Sequence, residues 1–208
     1  MSTTQLGSAL VVAVLALTGC SGPTAPVAES DTQKAANTAP PEPVTAKTAF
    51  WQMYKPAYAW ANDVLPLTIV AKSVKEIKNE NGKAAVWEAT FGSPSRKQFT
   101  KFTYSVLASP PDIRKGVSAA PALPWAGPRP DVLPFASSDW TVDSDVAFKT
   151  ATDKAEEWLK KNPDKGLTEE SLGAANRFPG PVWYFLWGDV KKGGFIQFVS
   201  AATGKALK

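Results

Sequence analysis

The sequence predicts an α+β fold. Three observations carry that reading. An apolar stripe at helical spacing runs over residues 146–161. Aromatic and β-branched runs come in pairs around glycine-bearing turns. An internal repeat without gaps joins both patterns into a unit used twice.

The repeat aligns VWEATFGSPSRKQFTKF (86–102) with VWYFLWGDVKKGGFIQF (182–198). Val86/Val182, Trp87/Trp183, Gly92/Gly188, Phe99/Phe195 and Phe102/Phe198 are identical. Phe91/Trp187 and Arg96/Lys192 are similar. Each copy reads as a β-hairpin, with arms at Ala84–Phe91 and Gln98–Leu107 in the first and Pro181–Trp187 and Gly194–Ala201 in the second. Aromatic and β-branched side chains suit a half-buried pleated face, and glycine suits a turn that needs positive φ.

In chain order, residues 1–19 come first. Ala9 to Leu17 is apolar and uncharged, and too short to span a bilayer. That length suits the core of a signal peptide, although residues 1–8 carry no Lys or Arg where such signals are normally basic. The run ends in Leu17-Thr18-Gly19-Cys20, which resembles the lipobox of bacterial lipoproteins. The resemblance implies cleavage before Cys20, lipid attachment at Cys20 and a membrane as partner. With Ser21-Gly22 and no Asp after the Cys, it implies the outer membrane, facing the periplasm. The alternative is a short buried helix with a free thiol. Residues 20–46 hold five Pro and no aromatic, a composition that buries too little apolar surface to offset ordering entropy, so they read as a disordered tether behind the lipidated Cys.

The first unit is placed at 47–107. Thr48 is a candidate cap for a helix through Trp51, Tyr54, Tyr58 and Ala61, and Pro56 should kink or split it. An added strand is expected over Leu67–Ile77, closed by the Asn81-Gly82 turn. Residues 108–142 hold seven of the eighteen Pro and read as an extended connector that wraps the sheet or serves as a functional loop. The second unit is placed at 143–208. Ser144 or Asp145 would cap a helix near Val146–Lys161, with Phe148, Ala151, Ala155, Trp158 and Leu159 on one face and Asn162-Pro163 ending it. A weaker strand is expected over Leu172–Phe178.

The C-terminal stretch Pro-Val-Trp-Tyr-Phe-Leu-Trp-Gly-Asp, followed by Ser200-Ala201-Ala202-Thr203-Gly204-Lys205-Ala206-Leu207, resembles the PepSY and PepSY-like domains. Their last strand ends in Asp-Ala-x-Thr-Gly-x-Val/Leu, and Ser200 stands here in place of the Asp. The resemblance covers about 143–208 and reaches 48–107 through the repeat. It implies two cystatin-like units, each a helix packed on an antiparallel sheet, either separate or merged into one body. It also implies a non-catalytic module that binds or restrains peptidases and other envelope proteins.

The composition narrows the chemistry. The chain of 208 residues has no His and one Cys, which excludes Ser-His-Asp triads, Cys-His dyads, His-bearing zinc sites and an internal disulfide. A net charge of +4 is too mild to argue for nucleic acid. The acidic pairs Asp143/Asp145, Glu156/Glu157 and Glu169/Glu170 are candidates for acid–base work. The helix face favours solvated acids for the second, and the third, after Thr168, suits a helix start. Asp143-Ser-Asp145 and Asn79-Glu80-Asn81-Gly82 lack calcium-loop spacing. Arg96/Lys97 and Lys191/Lys192 put charge at both hairpin tips, where Lys guards an edge or meets a polyanion such as anionic lipid. Trp125 and Trp140 in the connector either pin it to the body or form a stacking surface for sugar or peptide. No catalytic residue, metal or cofactor is expected.

These readings lead to a lipid-anchored envelope module that binds a protein or peptide without catalysis. A structural, self-associating envelope protein is one alternative. A glycan-binding or glycan-cleaving protein using exposed Trp and carboxylates is another.

Overall fold

The computed structural model describes residues 41–109 and 111–208. The signal, Cys20 and most of the tether lie outside the described residues. The architecture is α+β, with two helices packed against one nine-stranded antiparallel sheet, an arrangement consistent with a cystatin-like fold.

Helix α1 spans Ala46–Trp60 and is followed by strands β1 (Leu65–Lys72), β2 (Val86–Ser93), β3 (Gln98–Ser105), β4 (Gly116–Ala119) and β5 (Leu123–Pro124). Helix α2 spans Ser144–Lys161 and is followed by β6 (Leu167–Gly173), β7 (Val182–Trp187), β8 (Phe195–Ser200) and β9 (Ala206–Leu207). The strands lie in the order β4-β3-β2-β1-β6-β7-β8-β9, and β5 pairs with the free end of β3. The two halves meet where β1 pairs with β6, at Thr68↔Gly173, Ile69↔Leu172 and Val70↔Ser171. A single sheet therefore runs through both copies of the repeat.

Both helices cover the same face. The α1 residues Ala49, Phe50, Met53 and Ala57 and the α2 residues Ala147, Ala151 and Ala155 are buried with Ile69, Trp87, Phe91, Leu172, Trp183 and Phe185 in one continuous core. The repeated Trp does the same work twice. Trp87 Nε1 donates to the carbonyl of Val44 at 2.9 Å, and Trp183 Nε1 donates to that of Val142 at 2.9 Å. Each acceptor lies two residues before its helix, so the indole both fills the core and fixes where the helix begins.

Several expectations need correction. Pro56 does not split α1; the helix continues to Trp60. The amide bond it forfeits is the one to exposed Gln52, and burial of Phe50, Met53 and Ala57 holds the segment. The residue before α1 is Thr45, not Thr48, and α2 is capped by Asp143, whose side chain accepts from Ser144 N–H. The strand expected at Leu172–Phe178 is displaced: β6 runs over Leu167–Gly173 and shares only Leu172 and Gly173 with it, so Glu169 and Glu170 lie in a strand and not at a helix start. The Asn81-Gly82 turn is as expected: both residues have positive φ (53° and 68°), and Glu80 and Lys83 exchange both backbone hydrogen bonds.

The connector wraps the sheet. It supplies β4 and β5 along the outer edge of β3, then passes across the face that the helices leave open. Leu133 N–H bonds to Ala174 and Phe135 N–H to Pro66 near the junction of the halves, and Thr141 and Val142 N–H both reach the carbonyl of Ala201.

Candidate functional site

The connector and the open face of the sheet enclose a groove of about 490 Å³. Strand alternation builds its floor. Ile69, Ala89 and Phe91 point toward the helices, so Thr68, Thr90 and Lys101 point the other way. Leu67 and Phe99 join them, and the connector adds Trp125, Ala126, Gly127, Arg129 and Val132 as the wall. Trp125 is seated by a hydrogen bond from its N–H to Lys97 O at 2.8 Å and by its ring lying flat against Gly92. A Cβ at position 92 would come within 2.9 Å of that ring, so the glycine shared by both hairpins leaves room for the indole in the first. Two cations stand at the groove. Lys101 is paired with Glu88 at 2.9 Å and Arg129 with Asp131 at 3.3 Å. The volume falls in the usual range for sites that take a small molecule or a short peptide segment.

The structure separates the two aromatic candidates. Trp125 is half-buried in the groove. Trp140 is 3% exposed on the other side of the sheet, against Phe50 and Trp183 with ring centroids 5.4 and 5.8 Å apart, and bonded through Nε1 to Val142 O. Trp140 is a pin that fixes the end of the connector in the core, which takes it off any ligand surface.

The acids divide as sharply. Asp143 Oδ1 accepts from Ser144 N–H at 2.7 Å and from Lys47 N–H at 3.0 Å, and Ser144 Oγ accepts from Ala46 N–H at 2.9 Å. The N-termini of both helices thus converge on one carboxylate, where the helix dipoles favour negative charge. Asp145 caps locally by accepting from Val146 N–H, and Glu156 pairs with Lys160 one turn on. The hydrogen bond and charge of Lys160 hold the Glu156 carboxyl below its usual range.

Glu170 is the acid that sequence reasoning misplaced. It is 2% exposed, on the face of β6 that turns toward the helices, opposite Phe185. Neither carboxylate oxygen has a hydrogen-bond partner. Burial pushes its carboxyl up to about 8, and the negative charge of Asp143 adds to the rise. Alternation was the available signal, since Glu170 is two residues from the core position Leu172, but a lone buried Glu runs against composition. Closed off from solvent, it is not placed to touch a ligand.

At the first hairpin tip Asp63 accepts from Ser93 Oγ and Ser95 N–H, bonds that lower its pKa, and Arg96 lies over the Trp60 ring at 5.4 Å. At the second, Asp189 accepts from Lys191 N–H. Cys20 lies outside the described residues. No family model, curated protein or solved structure matches the chain.

Proposed function

We propose that the chain is a membrane-anchored envelope lipoprotein, attached through Cys20 on the periplasmic side of the outer membrane. Its two PepSY-like halves bind a protein or peptide without catalysis. The observation that supports this reading is the groove under the connector. It offers an indole and a phenyl ring for apolar side chains, and Lys101 and Arg129 for acidic groups or a terminal carboxylate. An extended peptide segment suits a floor made of strands better than a sugar does. Only one Trp faces the groove, and one face of its ring already lies against Gly92, which leaves a single indole face for a sugar.

The test is capture from an envelope extract, comparing the natural chain with Ala126→Trp. Ala126 is exposed on the groove wall, so the added ring fills the groove without touching the core. A partner protein retained by the natural chain and lost with Ala126→Trp is the expected result. Equal retention by both would place binding elsewhere and end this reading.

A further inference from the structure

The outer face of α1 carries an aromatic ladder of which only the middle ring, Tyr54, packs against the core. Trp51 and Tyr58 are 51% and 53% exposed. Tyr54, half-buried, links them with ring centroids 5.5 and 6.3 Å away. The ladder is rooted in buried Phe50, 5.1 Å from Trp51 and 5.5 Å from Tyr54. Spacings of three and four put the three rings on one side of the helix. The other exposed large hydrophobic side chains among the described residues are aliphatic and lie on β4, β5, α2, β8 and the turn before β8. Exposed aromatics are thus concentrated on α1.

The charge carried by the helix itself has one sign, and the acids at its two ends, Asp143 and Asp63, are taken up in hydrogen bonds. Helix α1 contains Lys47 and Lys55 and no acid. Lys55 is exposed beside Tyr54 and Tyr58. Lys47 is held by Thr141 O, and Arg96 extends the cationic strip to the far end of the helix, over Trp60.

We propose that this face of α1 seats on the surface of an anionic bilayer, with Trp51, Tyr54 and Tyr58 in the headgroup zone and Lys55 and Arg96 toward lipid phosphates. Trp and Tyr have an apolar body and a polar tip, the combination that settles at a membrane–water interface. Basic residues near an anionic surface add to that attraction. The proposal rests on the lipid-anchor reading for its driving force. Only residues 21–45 separate Cys20 from the helix, so an anchored chain holds α1 at high effective concentration near the bilayer, where a weak contact is populated. The face opposite the helices, with its groove, would then look away from the membrane.

The experiment uses the full chain isolated from membranes and placed in phosphatidylcholine–phosphatidylglycerol vesicles whose phosphatidylcholine is brominated high on the acyl chains. Bromine quenches only indoles at that depth. Mass spectrometry of the Cys20 peptide is read in parallel. The expected result is partial quenching of Trp fluorescence that Trp51→Phe largely abolishes and Trp125→Phe leaves intact. Quenching that is absent, or unchanged in Trp51→Phe, overturns the docking face. If sedimentation then showed concentration-dependent dimers lost in Trp51→Ala, the ladder would belong to a second copy instead. Acyl mass on Cys20 without Trp51-dependent quenching keeps the anchor and removes the docking face. Trp51-dependent quenching without acyl mass does the reverse.

Discussion

Glu170 is the residue whose chemistry departs furthest from its sequence context. Its carboxyl is neutral in the folded protein up to about pH 8, while in the unfolded chain it ionises near the ordinary value of 4.5. The folded state therefore holds a proton that the unfolded state releases. The contribution of Glu170 to stability is full below pH 4.5 and is lost as pH rises toward 8. At ~1.4 kcal/mol per unit, the loss is on the order of 5 kcal/mol. Thermal unfolding across this range should show Tm falling for the natural chain, and falling much less for Glu170→Gln, which cannot ionise. Equal slopes would mean that Glu170 finds a partner or water. Gly82 makes a second prediction at this scale. Its φ is +68°, and a Cβ would sit 2.4 Å from the carbonyl oxygen of Ser144. Gly82→Ala should cost about 3 kcal/mol or more in urea unfolding. Asn81-Gly82 was readable as a turn from its residue pair. Its contact with the start of α2 was not, because no local rule brings residues 82 and 144 together.

Among the elements, the convergence of both helix N-termini on Asp143 sets how α1 and α2 sit together. A typical cap contributes about 1 kcal/mol, and this carboxylate accepts from two helices. Asp143→Ala should cost about 2 kcal/mol by the same measurement. Asp143→Asn keeps an acceptor and removes the charge that opposes ionisation of Glu170. It should flatten the pH dependence slightly and not abolish it, because burial is the larger cause. A loss confined to a few tenths would show that the caps are replaced by water. The hairpins and α2 could be read from the sequence because their periodicity is strong and their turn residues are specific. Strand β6 was hidden behind Thr168-Glu169-Glu170, which imitates a helix start, while the true alternation puts Glu169 outside and Glu170 in the core. Pro56 misled in the opposite direction, because tertiary burial outweighs one lost hydrogen bond.

For the whole molecule, the pairing of β1 with β6 makes the two copies of the repeat one sheet over one core. The described body should unfold in a single transition, with calorimetric and van't Hoff enthalpies equal; two resolved transitions would show that the halves are independent. The repeat could be seen in the sequence, but the merger could not, since the three paired positions on each strand carry no turn or motif that announces the partner. The connector was read as irregular because of its Pro content. Its two short strands and its path across the open face follow from hydrogen bonds to β3, Pro66 and Ala174 that only the assembled sheet supplies. That path creates the groove, on which the proposed binding role depends. The most direct test places a photo-crosslinking side chain at Val132, inside the groove, and another at Thr150, half-buried on α2 and outside the groove, in living cells. A discrete protein adduct at 132 and none at 150 is the expected result. No adduct at 132, or the same adducts at both, would contradict it.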